Sequence, residues 1–473
     1  MFIGRKRELG ALQGLLDKVG TGPDSKPGRA LLIRGRRRVG KSRLVEEFVQ
    51  AAGVPYLFYA ATGRPIADEL ALFAEEVARS NLPGRGAFQG LVLSTWDAAL
   101  RQLAAALPQD GPSVIVIDAL PYLVDSDDRF EATLQTAFDR ELSRRRVLLI
   151  GIGSDLAMME MLNEYGRPFH QRATEMIVPA LSPLETGTML GLSAADAFDA
   201  YLVTGGLPLI LDEWPSGATL WEYLEHALST PTSALLVSAE RALSAEFPSD
   251  IPARGVLSTI GGTGARTFTT IAKKAGVNQA VLNRALDVLA AKRLVVRGTP
   301  LSTAASNNPR YRIADPYLRF WLEFVESGMP RVERGAGREV LARIKTSWDS
   351  WRGLAIEPVV HEGLDRLALP LGPAGRAGAV GGYWTRINDP EIAIVVADKA
   401  PVADEIYAVG SIKWKEGAPF DGRDHAALIV HRSQLPGATD TTPLLAVSRT
   451  GADRGLATTI RIIEPGELLT AWP

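Results

Sequence analysis

A glycine-bounded loop between a predicted strand and a predicted helix is the feature that most constrains this chain. The loop runs over 35–42 and ends in Gly-Lys-Ser. The apolar run 30–33 ahead of it predicts a buried strand, and 43–49 place apolar side chains at helical spacing. Strand, glycine-bounded loop and helix in this order are typical of a nucleoside triphosphate site. The sequence therefore predicts an α/β fold with a phosphate-binding loop.

The backbone and side chains of this loop are the candidate nucleotide-binding groups. Glycines let the backbone wrap closely around phosphate oxygens, and the start of the following helix adds partial positive charge. Lys41 is expected to reach the β- and γ-phosphates of ATP, and the Ser42 hydroxyl is expected to bind Mg²⁺. The residues that we assign to the nucleotide are Gly35, Arg36, Arg37, Arg38, Val39, Gly40, Lys41, Ser42 and Arg43.

An apolar run over 114–117 that ends in Asp118 predicts the second half of the site. A carboxylate at the end of such a strand supports Mg²⁺, so we assign Asp118 to the metal together with Ser42, and also to catalysis. The next residue is Ala119, which cannot accept a proton from the attacking water. Because loss of a general base typically costs ~10²–10⁴ in rate, the sequence supports ATP binding better than fast hydrolysis.

Strand-like and helix-like stretches alternate over the first ~190 residues, as in a parallel sheet with crossover helices. The strand candidates are 30–34, 54–60, 113–117 and 147–151. Ser154 follows the last of them, and it is either a sensor of the γ-phosphate or water, or an ordinary turn serine. Further along, 184–245 is predicted to be helical, and 326–337, which is rich in Gly and charge, is predicted to be a linker.

A basic segment at 251–300 carries eight Lys or Arg against one acid, in a chain of formal net charge −2. Residues 268–276 and 278–286 predict two helices joined by a glycine turn, and 294–297 and 310–313 predict two wing strands. This pattern indicates a winged helix-turn-helix whose second helix faces DNA. Lys and Arg suit phosphates, while Asn, Gln and Arg suit base edges. We assign to DNA the residues Lys273, Lys274, Asn278, Gln279, Arg284 and Arg297. The alternatives are a solvated basic face and a surface that binds protein.

Four segments resemble the archaeal-type ATPases, which are P-loop proteins related to the AAA+ and STAND classes and also occur in bacteria. The resemblance rests on the segments 2–9, 35–42, 118–123 and 311–321. At the second motif the family usually reads Asp-Glu-Phe-Pro-Tyr-Leu, so Ala119 departs from the family at the catalytic Glu.

The resemblance assigns roles to residues outside the loop. A Gly-Gly-Leu-Pro motif that ends at Pro208 matches the helical lid of the family. The resemblance implies that Pro208 packs on the adenine, and that Phe2 and Ile3 cover its other side; the plainer interpretation of the motif is a helix break. Arg167 or Arg172 is implied as a catalytic arginine finger or sensor, in the same chain or across subunits, with a surface arginine as the alternative for either.

The C-terminal region of this family, a domain of unknown function numbered 234, resembles PD-(D/E)xK nucleases. Those enzymes hold metal with a helix Glu, a strand Asp and a Glu-x-Lys on the next strand. Glu357 supplies the helix Glu and Lys413 the lysine, but Ala393 and Ser411 stand where the other two acids belong. Glu391 lies one pleat from Ala393 and fits the site poorly. A degenerate site of Glu357, Glu391 and Lys413 predicts a fold kept for binding or assembly, without cleavage.

The predicted architecture is therefore α/β: a P-loop NTPase parallel sheet with a helical lid, then a winged helix-turn-helix, then an α/β restriction-endonuclease-like domain. The predicted boundaries are 1–190 for the ATPase core, 191–247 for the lid, 248–325 for the winged helix and 338–473 for the degenerate nuclease-like domain.

Composition restricts the remaining choices. The 473 residues include no cysteine, which excludes disulfides and thiolate metal sites. The N-terminus has no apolar signal segment, and no apolar run approaches the ~20 residues of a membrane helix. We therefore expect a cytoplasmic protein without a membrane partner.

The sequence favours a switch that binds ATP and Mg²⁺, hydrolyses ATP slowly or conditionally, and acts on double-stranded DNA or a DNA-associated partner. A protein partner and a second copy of the chain are further candidate partners. Two alternatives stay open: an active ATP-driven DNA motor or nuclease, and a nucleotide-regulated interaction scaffold that does not bind DNA.

Overall fold

A computed structural model gives the three-dimensional structure of the chain. The chain divides into two compact units, Met1–Ala180 and Leu181–Pro473. Within the described ranges, no helix combines the length and apolar character needed to cross a membrane. The described residues are 3–19, 27–154, 156–162, 164–165, 167, 172–247, 252–367 and 378–472.

A five-stranded parallel sheet organises the first unit, in the order β2-β3-β4-β1-β5. Its central strands are apolar on both faces because helices cover a parallel sheet on both sides. The strands are β1 (Arg29–Arg34), β2 (Tyr56–Ala60), β3 (Ser113–Asp118), β4 (Val147–Gly153) and β5 (Ala173–Ile177). The helices are α1 (Lys6–Asp17), α2 (Lys41–Ala52), α3 (Ile66–Arg79), α4 (Trp96–Ala106), α5 (Leu120–Ser126), α6 (Phe130–Arg140) and α7 (Leu156–Met161).

The core of this unit packs helices α3, α4 and α6 against strands β1 to β4. An aromatic group lies at its centre, where Trp96 meets Phe73 and Phe130 edge-on at centroid distances of 5.5 and 5.1 Å. Because parallel strands all end at the same edge of a sheet, this core fixes the ends of β1, β3 and β4 beside one another.

The second unit begins with helices, as the sequence predicts for this stretch. Ser182 and Thr219 begin two of them with capping boxes, and Ser193 caps a third. Each cap satisfies backbone N–H groups that a helix start leaves without partners. These helices are α8 (Pro183–Leu190), α9 (Ala194–Thr204), α10 (Pro208–Leu211), α11 (Leu220–Ser229) and α12 (Ala234–Glu246).

A module of three helices and a three-stranded antiparallel sheet follows. Its sheet order is β6-β8-β7, and its elements occur in the order helix, strand, helix, helix, strand, strand. That is the order of a winged helix-turn-helix, and residues 252–313 are called the winged module. The elements are α13 (Pro252–Ile260), β6 (Arg266–Thr267), α14 (Phe268–Ala275), α15 (Gln279–Ala291), β7 (Val295–Gly298) and β8 (Arg310–Ile313).

The C-terminal part contains a mixed sheet in the order β13-β12-β11-β10-β9. Strands β9 to β11 are antiparallel, and β12 and β13 continue parallel to β11. The succession from α19 to β12 is helix, three strands, helix, strand, as predicted for a restriction-endonuclease-like fold. The elements are α16 (Pro316–Phe320), a π-helical turn (Trp321–Val325), α17 (Met329–Val332), α18 (Gly337–Ala355), α19 (Glu357–Leu367), β9 (Ala379–Trp384), β10 (Glu391–Ala397), β11 (Ile406–Lys413), α20 (Gly422–Gln434), β12 (Leu444–Ser448), β13 (Arg461–Ile463) and α21 (Pro465–Leu469).

The linker predicted at 326–337 is wrong, because this passage is mostly helical and packed. Val332 is buried in α17, and α18 begins at Gly337. A Cβ added to Gly337 would lie 2.2 Å from the Leu228 carbonyl oxygen. The glycine is therefore present for close packing of helices rather than for flexibility.

A buried ionic cluster joins α9 to α18 and to the end of β12. The Asp199 carboxylate accepts from Arg352 at 2.8 Å and lies 3.2 Å from Arg449, and the Trp414 indole N–H donates to it at 3.4 Å. The side chains of Asp199, Arg352 and Arg449 are 6, 1 and 6 % exposed. Charges buried this deeply hold only while each has its partner.

We predict that Asp199→Asn destabilises the protein by about 3–5 kcal/mol, because it removes the buried carboxylate that two buried guanidinium groups share and leaves each with an exposed partner, Asp349 or Asp196. Asp349→Asn is the matched control, since Asp349 also pairs with Arg352 at 2.8 Å but is 65 % exposed; its cost should not exceed about 1 kcal/mol. Denaturant unfolding of both full-length variants, followed by tryptophan fluorescence, measures the difference. Equal losses would show that burial of the cluster is not what matters.

Candidate functional site

The loop between β1 and α2 encloses a backbone cradle. A Cβ added to Gly35 would lie 2.3 Å from the Val178 carbonyl oxygen, so only glycine fits there. Gly40 immediately precedes α2 with φ 86°, a conformation that favours glycine. Arg38 also has a positive φ, 68°, which costs a side chain about 1 kcal/mol. The loop therefore holds a strained, specific shape.

Lys41 is buried at the centre of this cradle. Its Nζ donates to the carbonyl oxygens of Gly35 and Arg36 and to the Ser154 hydroxyl, each at 2.8 Å. Burial lowers the pKa of Lys41 to about 8; Asp118 opposes this shift and Arg37 adds to it. Lys41 and Ser154, which the sequence separates by more than a hundred residues, are thus brought together.

Ser42 and Asp118 meet beside Lys41. The Ser42 hydroxyl donates to Asp118 Oδ2 at 2.5 Å, and Asp118 Oδ1 accepts from the Ala119 N–H at 2.7 Å. Hydroxyl and carboxylate oxygens are ligands that Mg²⁺ prefers. Ala119 follows with φ 55° in the left-handed region, and its methyl side chain offers no proton acceptor.

Arg5 supports the loop, a role that the sequence analysis missed. Its guanidinium, 4 % exposed, donates to the carbonyl oxygens of Val39 at 2.9 Å and Pro179 at 2.6 Å. Arg5 itself has φ 61° directly before α1. The sequence signal that points to this role is the family resemblance of the segment 2–9. The N-terminal segment thus anchors the loop from one side.

Three predicted nucleotide-site arginines have other partners. Arg167 pairs with the nearly buried Glu131 at 2.5 Å, and Arg172 pairs with Asp139 at 3.0 Å. Arg43 is exposed and lies 3.3 Å from Glu47 on the surface of α2. The predicted roles of these arginines stay predictions.

Three residues, Phe2, Ile3 and Pro208, are predicted to contact adenine. Phe2 lies outside the described residues, and Ile3 is half-buried shortly before α1. Pro208 begins the short helix α10 in the second unit. Their contact with adenine stays a prediction.

The predicted DNA-binding residues form an exposed set on the winged module. Lys273 and Lys274 lie in the last turn of α14, Gln279 and Arg284 lie on α15, and Arg297 lies on β7. All five are exposed. Asn278, also exposed, caps α15 by accepting from the Val281 N–H at 3.0 Å, so its side-chain carbonyl oxygen has a structural role.

The three residues of the degenerate nuclease site do not come together. Glu357 and Glu391 both line one cavity of the second unit. Lys413 instead binds Asp424 of α20, with Nζ 2.8 and 2.9 Å from its two oxygens. Within the ranges described above, no three His, Asp or Glu side chains cluster as a metal site would require.

The first unit fits ATP and Mg²⁺. The cradle excludes any side chain at Gly35, its buried lysine carries positive charge, and the Ser42–Asp118 pair supplies oxygen ligands. Lys41 and the loop amides would hold the phosphates, and Ser42 and Asp118 would hold the metal. Mg²⁺ there neutralises phosphate charge and orients the nucleotide.

The sheet order, the loop after β1 and the acid that ends β3 define a P-loop ATPase fold. Residues 321–425 match a family model, DUF234, described as archaea bacterial proteins of unknown function. The predicted resemblance to archaeal-type P-loop ATPases with a DUF234 domain is thereby confirmed. No curated protein sequence matches the chain.

Several solved structures are similar to the chain. The Walker-type ATPase PABY2304 of Pyrococcus abyssi has 18 % identity and a TM-score of 0.45, covering 68 % of this chain and 96 % of its own. The Aeropyrum pernix ORC2 protein, solved in ADPNP-ADP complexes, has 15 % identity and a TM-score of 0.44, covering 73 % and 95 %. CDC6P from Pyrobaculum aerophilum has 14 % identity and a TM-score of 0.30, covering 71 % and 94 %. At these identities and TM-scores, the likenesses carry no argument about function.

We predict that Gly35→Ala destabilises the protein, because its methyl group would overlap the Val178 carbonyl oxygen; overpacking of this kind costs about 1–3 kcal/mol. Gly14→Ala in α1 is the control, since nothing lies within 4 Å of the added Cβ, and alanine in a helix gains about 0.5–1 kcal/mol over glycine. Thermal unfolding of the two variants should therefore shift in opposite directions. A neutral Gly35→Ala would contradict the described cradle.

Proposed function

We propose that this protein is a switch that binds ATP and Mg²⁺ and hydrolyses ATP slowly or conditionally. The observation that carries the proposal is the joining of Lys41, Ser42, Asp118 and Ser154 by hydrogen bonds of 2.5–2.8 Å at one edge of the sheet. These groups come from α2 and from the ends of β3 and β4, and a nucleotide there would bind all three elements at once. A switch works only if nucleotide binds one arrangement of the chain better than another.

Slow hydrolysis is inferred from Ala119. A P-loop ATPase with this strand order polarises water with an acid or amide near the γ-phosphate, and Ala119 occupies the position that follows the metal-binding Asp118. Its backbone N–H donates to Asp118, which supports the metal ligand but does not activate water. The described residues thus include groups that would bind nucleotide, while the position after Asp118 offers no side chain that could activate water.

Double-stranded DNA, or a partner bound to DNA, is the proposed target. The support is the exposed basic set on α14, α15 and β7, which lies on the two helices and the wing that contact DNA in winged helix proteins. Cleavage of that DNA is not proposed, because Ala393 and Ser411 replace two acids and Lys413 is paired with Asp424.

We predict that Ala119→Glu raises the rate of ATP turnover by about 10²-fold or more, because it restores a general base next to Asp118. Ala119→Gln is the control: it has the same size and cannot take a proton, so it should not exceed the wild type more than a few-fold. Phosphate release is measured for both variants with and without duplex DNA. Rapid ATP turnover by the wild-type protein, which carries neither substitution, would favour the alternative of an active motor.

We predict that ATP affinity falls above about pH 8. Lys41 must be protonated to hold phosphate, and its pKa in the free protein is lowered to about 8 by burial. As pH rises through that value, binding must first restore the proton, so the dissociation constant should rise by up to about tenfold per pH unit towards pH 10. Calorimetry from pH 7 to 9.5 measures this slope. Lys41→Ala should bind weakly and show no such slope, and undiminished binding by that variant would remove the proposal.

We predict that Lys273→Gln and Arg284→Gln each weaken binding to duplex DNA and lower the slope of log affinity against log salt by about 1. Arg338→Gln is the control, since Arg338 is 90 % exposed and lies on α18, outside the winged module. Fluorescence anisotropy between 50 and 200 mM salt gives the slopes. If the wild type has no affinity for DNA even at low salt, the scaffold alternative replaces DNA binding.

A further inference from the structure

A large cavity lies inside the second unit, between the winged module and the C-terminal sheet. Its volume is about 570 Å³, and its walls come from β7, β8, α16, α18, α19, β9 and β10. Pockets that bind small molecules typically measure ~300–1,000 Å³ and combine apolar walls with a few convergent polar groups. Here the apolar part includes Val296, Leu354 and Ile412. The cavity therefore has the size of a ligand site.

Strand β8 supplies two arginines to this cavity. Arg310 and Arg312 both line it, because residues two apart in a strand share a face. Arg310 already has partners: its guanidinium binds Glu391 at 2.6 Å and Asn388, and it lies 4.6 Å over the Trp384 ring. Arg310 and Glu391 neutralise each other and form one end of the site.

Arg312 is the available cation. Among the residues that the structure describes, no hydrogen bond or ion pair of the Arg312 side chain is found. Burial lowers its pKa, and Glu357 opposes that shift. A guanidinium with five N–H donors and no hydrogen-bond partner among the described residues retains most of its capacity to bind a ligand.

Arg319 adds a second positive charge to the same wall. It donates to four backbone carbonyl oxygens, those of Gly262, Thr263, Leu354 and Ala355, at 3.0–3.5 Å. Carbonyl groups fix the guanidinium without cancelling its charge. Burial, with a smaller contribution from the neighbouring Arg312, lowers the pKa of Arg319 to about 10.

The acids and the histidine of the cavity do not balance these arginines. Glu391 is taken by Arg310, which leaves Glu357 to face both Arg312 and Arg319. His361 binds the Ala393 carbonyl oxygen at 2.7 Å, and burial lowers its pKa, so it is neutral at pH 7. Glu323, which does not line the cavity, also acts on Arg319. Among the side chains that line the cavity, two arginines then stand against one glutamate, which leaves an excess positive charge in a desolvated setting, where a charge is costly without a partner.

We propose that this cavity binds a small organic phosphate of about mononucleotide size. A phosphate group matches the fork of an arginine bidentately and would supply the missing negative charge. The volume and the apolar wall call for an organic portion beyond the phosphate. The site stands where the resemblance places nuclease metal ligands, and Ala393 lines it in place of an acid. A centre that would hold a cation in the nuclease is thus arranged for an anion.

Calorimetry with AMP and with inorganic phosphate tests the proposal on the full chain. All proteins carry Lys41→Ala, so that the phosphate loop does not contribute. Arg312→Gln should weaken AMP binding by about ten- to a hundred-fold, the effect of losing a hydrogen bond to a charged group. Glu357→Gln should tighten it by about tenfold, because it removes the opposing charge. Arg386→Gln, exposed and outside the cavity, should leave it unchanged. AMP should bind more tightly than inorganic phosphate.

Arg312→Gln should weaken AMP binding and Glu357→Gln should tighten it. Because damage to the fold would weaken binding in both variants, opposite changes identify an effect on the ligand. Glu357→Gln also keeps every arginine in place. Absence of AMP and phosphate binding in both the parent and Glu357→Gln overturns the proposal. So does Mn²⁺ binding that Glu357→Gln abolishes, since the site would then hold a cation. A 5′-phosphorylated oligonucleotide that binds with this dependence on Arg312, while AMP does not, also overturns it in favour of a nucleic-acid end. None of these outcomes depends on ATP binding at Lys41.

Discussion

Two consecutive residues at the start of α2 fix the working edge of the first unit. Lys41 bonds to the loop and to Ser154 after β4, and Ser42 bonds to Asp118 at the end of β3. Neighbouring residues can reach two different strand ends because all strands of a parallel sheet end on the same side. A buried ammonium without acceptors would be costly, so the loop must keep its shape to satisfy it. The arrangement of these groups is therefore set by the contacts of the protein itself.

At two candidate sites, the phosphate loop and the C-terminal sheet, the chain keeps the backbone elements more fully than the reactive side chains. The phosphate loop is in place and Asp118 lies beside it at the end of β3, but the following residue is Ala119. In the C-terminal sheet the strands are present, but Ala393 and Ser411 stand where the family resemblance implies acids, and Lys413 is paired with Asp424. A missing carboxylate removes a proton acceptor or a metal ligand without disturbing the backbone, because neighbouring contacts hold the fold. Both losses favour binding over chemistry.

Buried charge also organises the second unit. Asp199 holds Arg352 and Arg449, while the hydrogen bonds described for Arg319 go to carbonyl oxygens. Such groups cost desolvation free energy and tolerate few alternative arrangements. In the first cluster Arg352 also pairs with Asp349 and Arg449 also pairs with Asp196, so acids balance the arginines and the cluster serves packing. The second leaves positive charge on a cavity wall, where an anion can compensate it.

The sequence alone determined the local elements. A strand, a loop and a helix around Lys41 follow from short-range rules on glycine, periodicity and capping, and the winged module follows from the same rules. Those rules failed at 326–337, where Gly and charge predicted a linker, because packing of Gly337 on Leu228 is not visible in composition.

Only the tertiary structure decided which residues meet. Lys41 and Ser154, Arg5 and Pro179, and Asp199 and Arg449 are each more than a hundred positions apart in the sequence. Arg312 and Arg319 come from a strand and a helix, and the excess charge of the cavity depends on which acids lie opposite them. Such pairings are set by how helices and sheets pack. Whether a buried charge is costly or compensated depends on the partners that this packing places beside it.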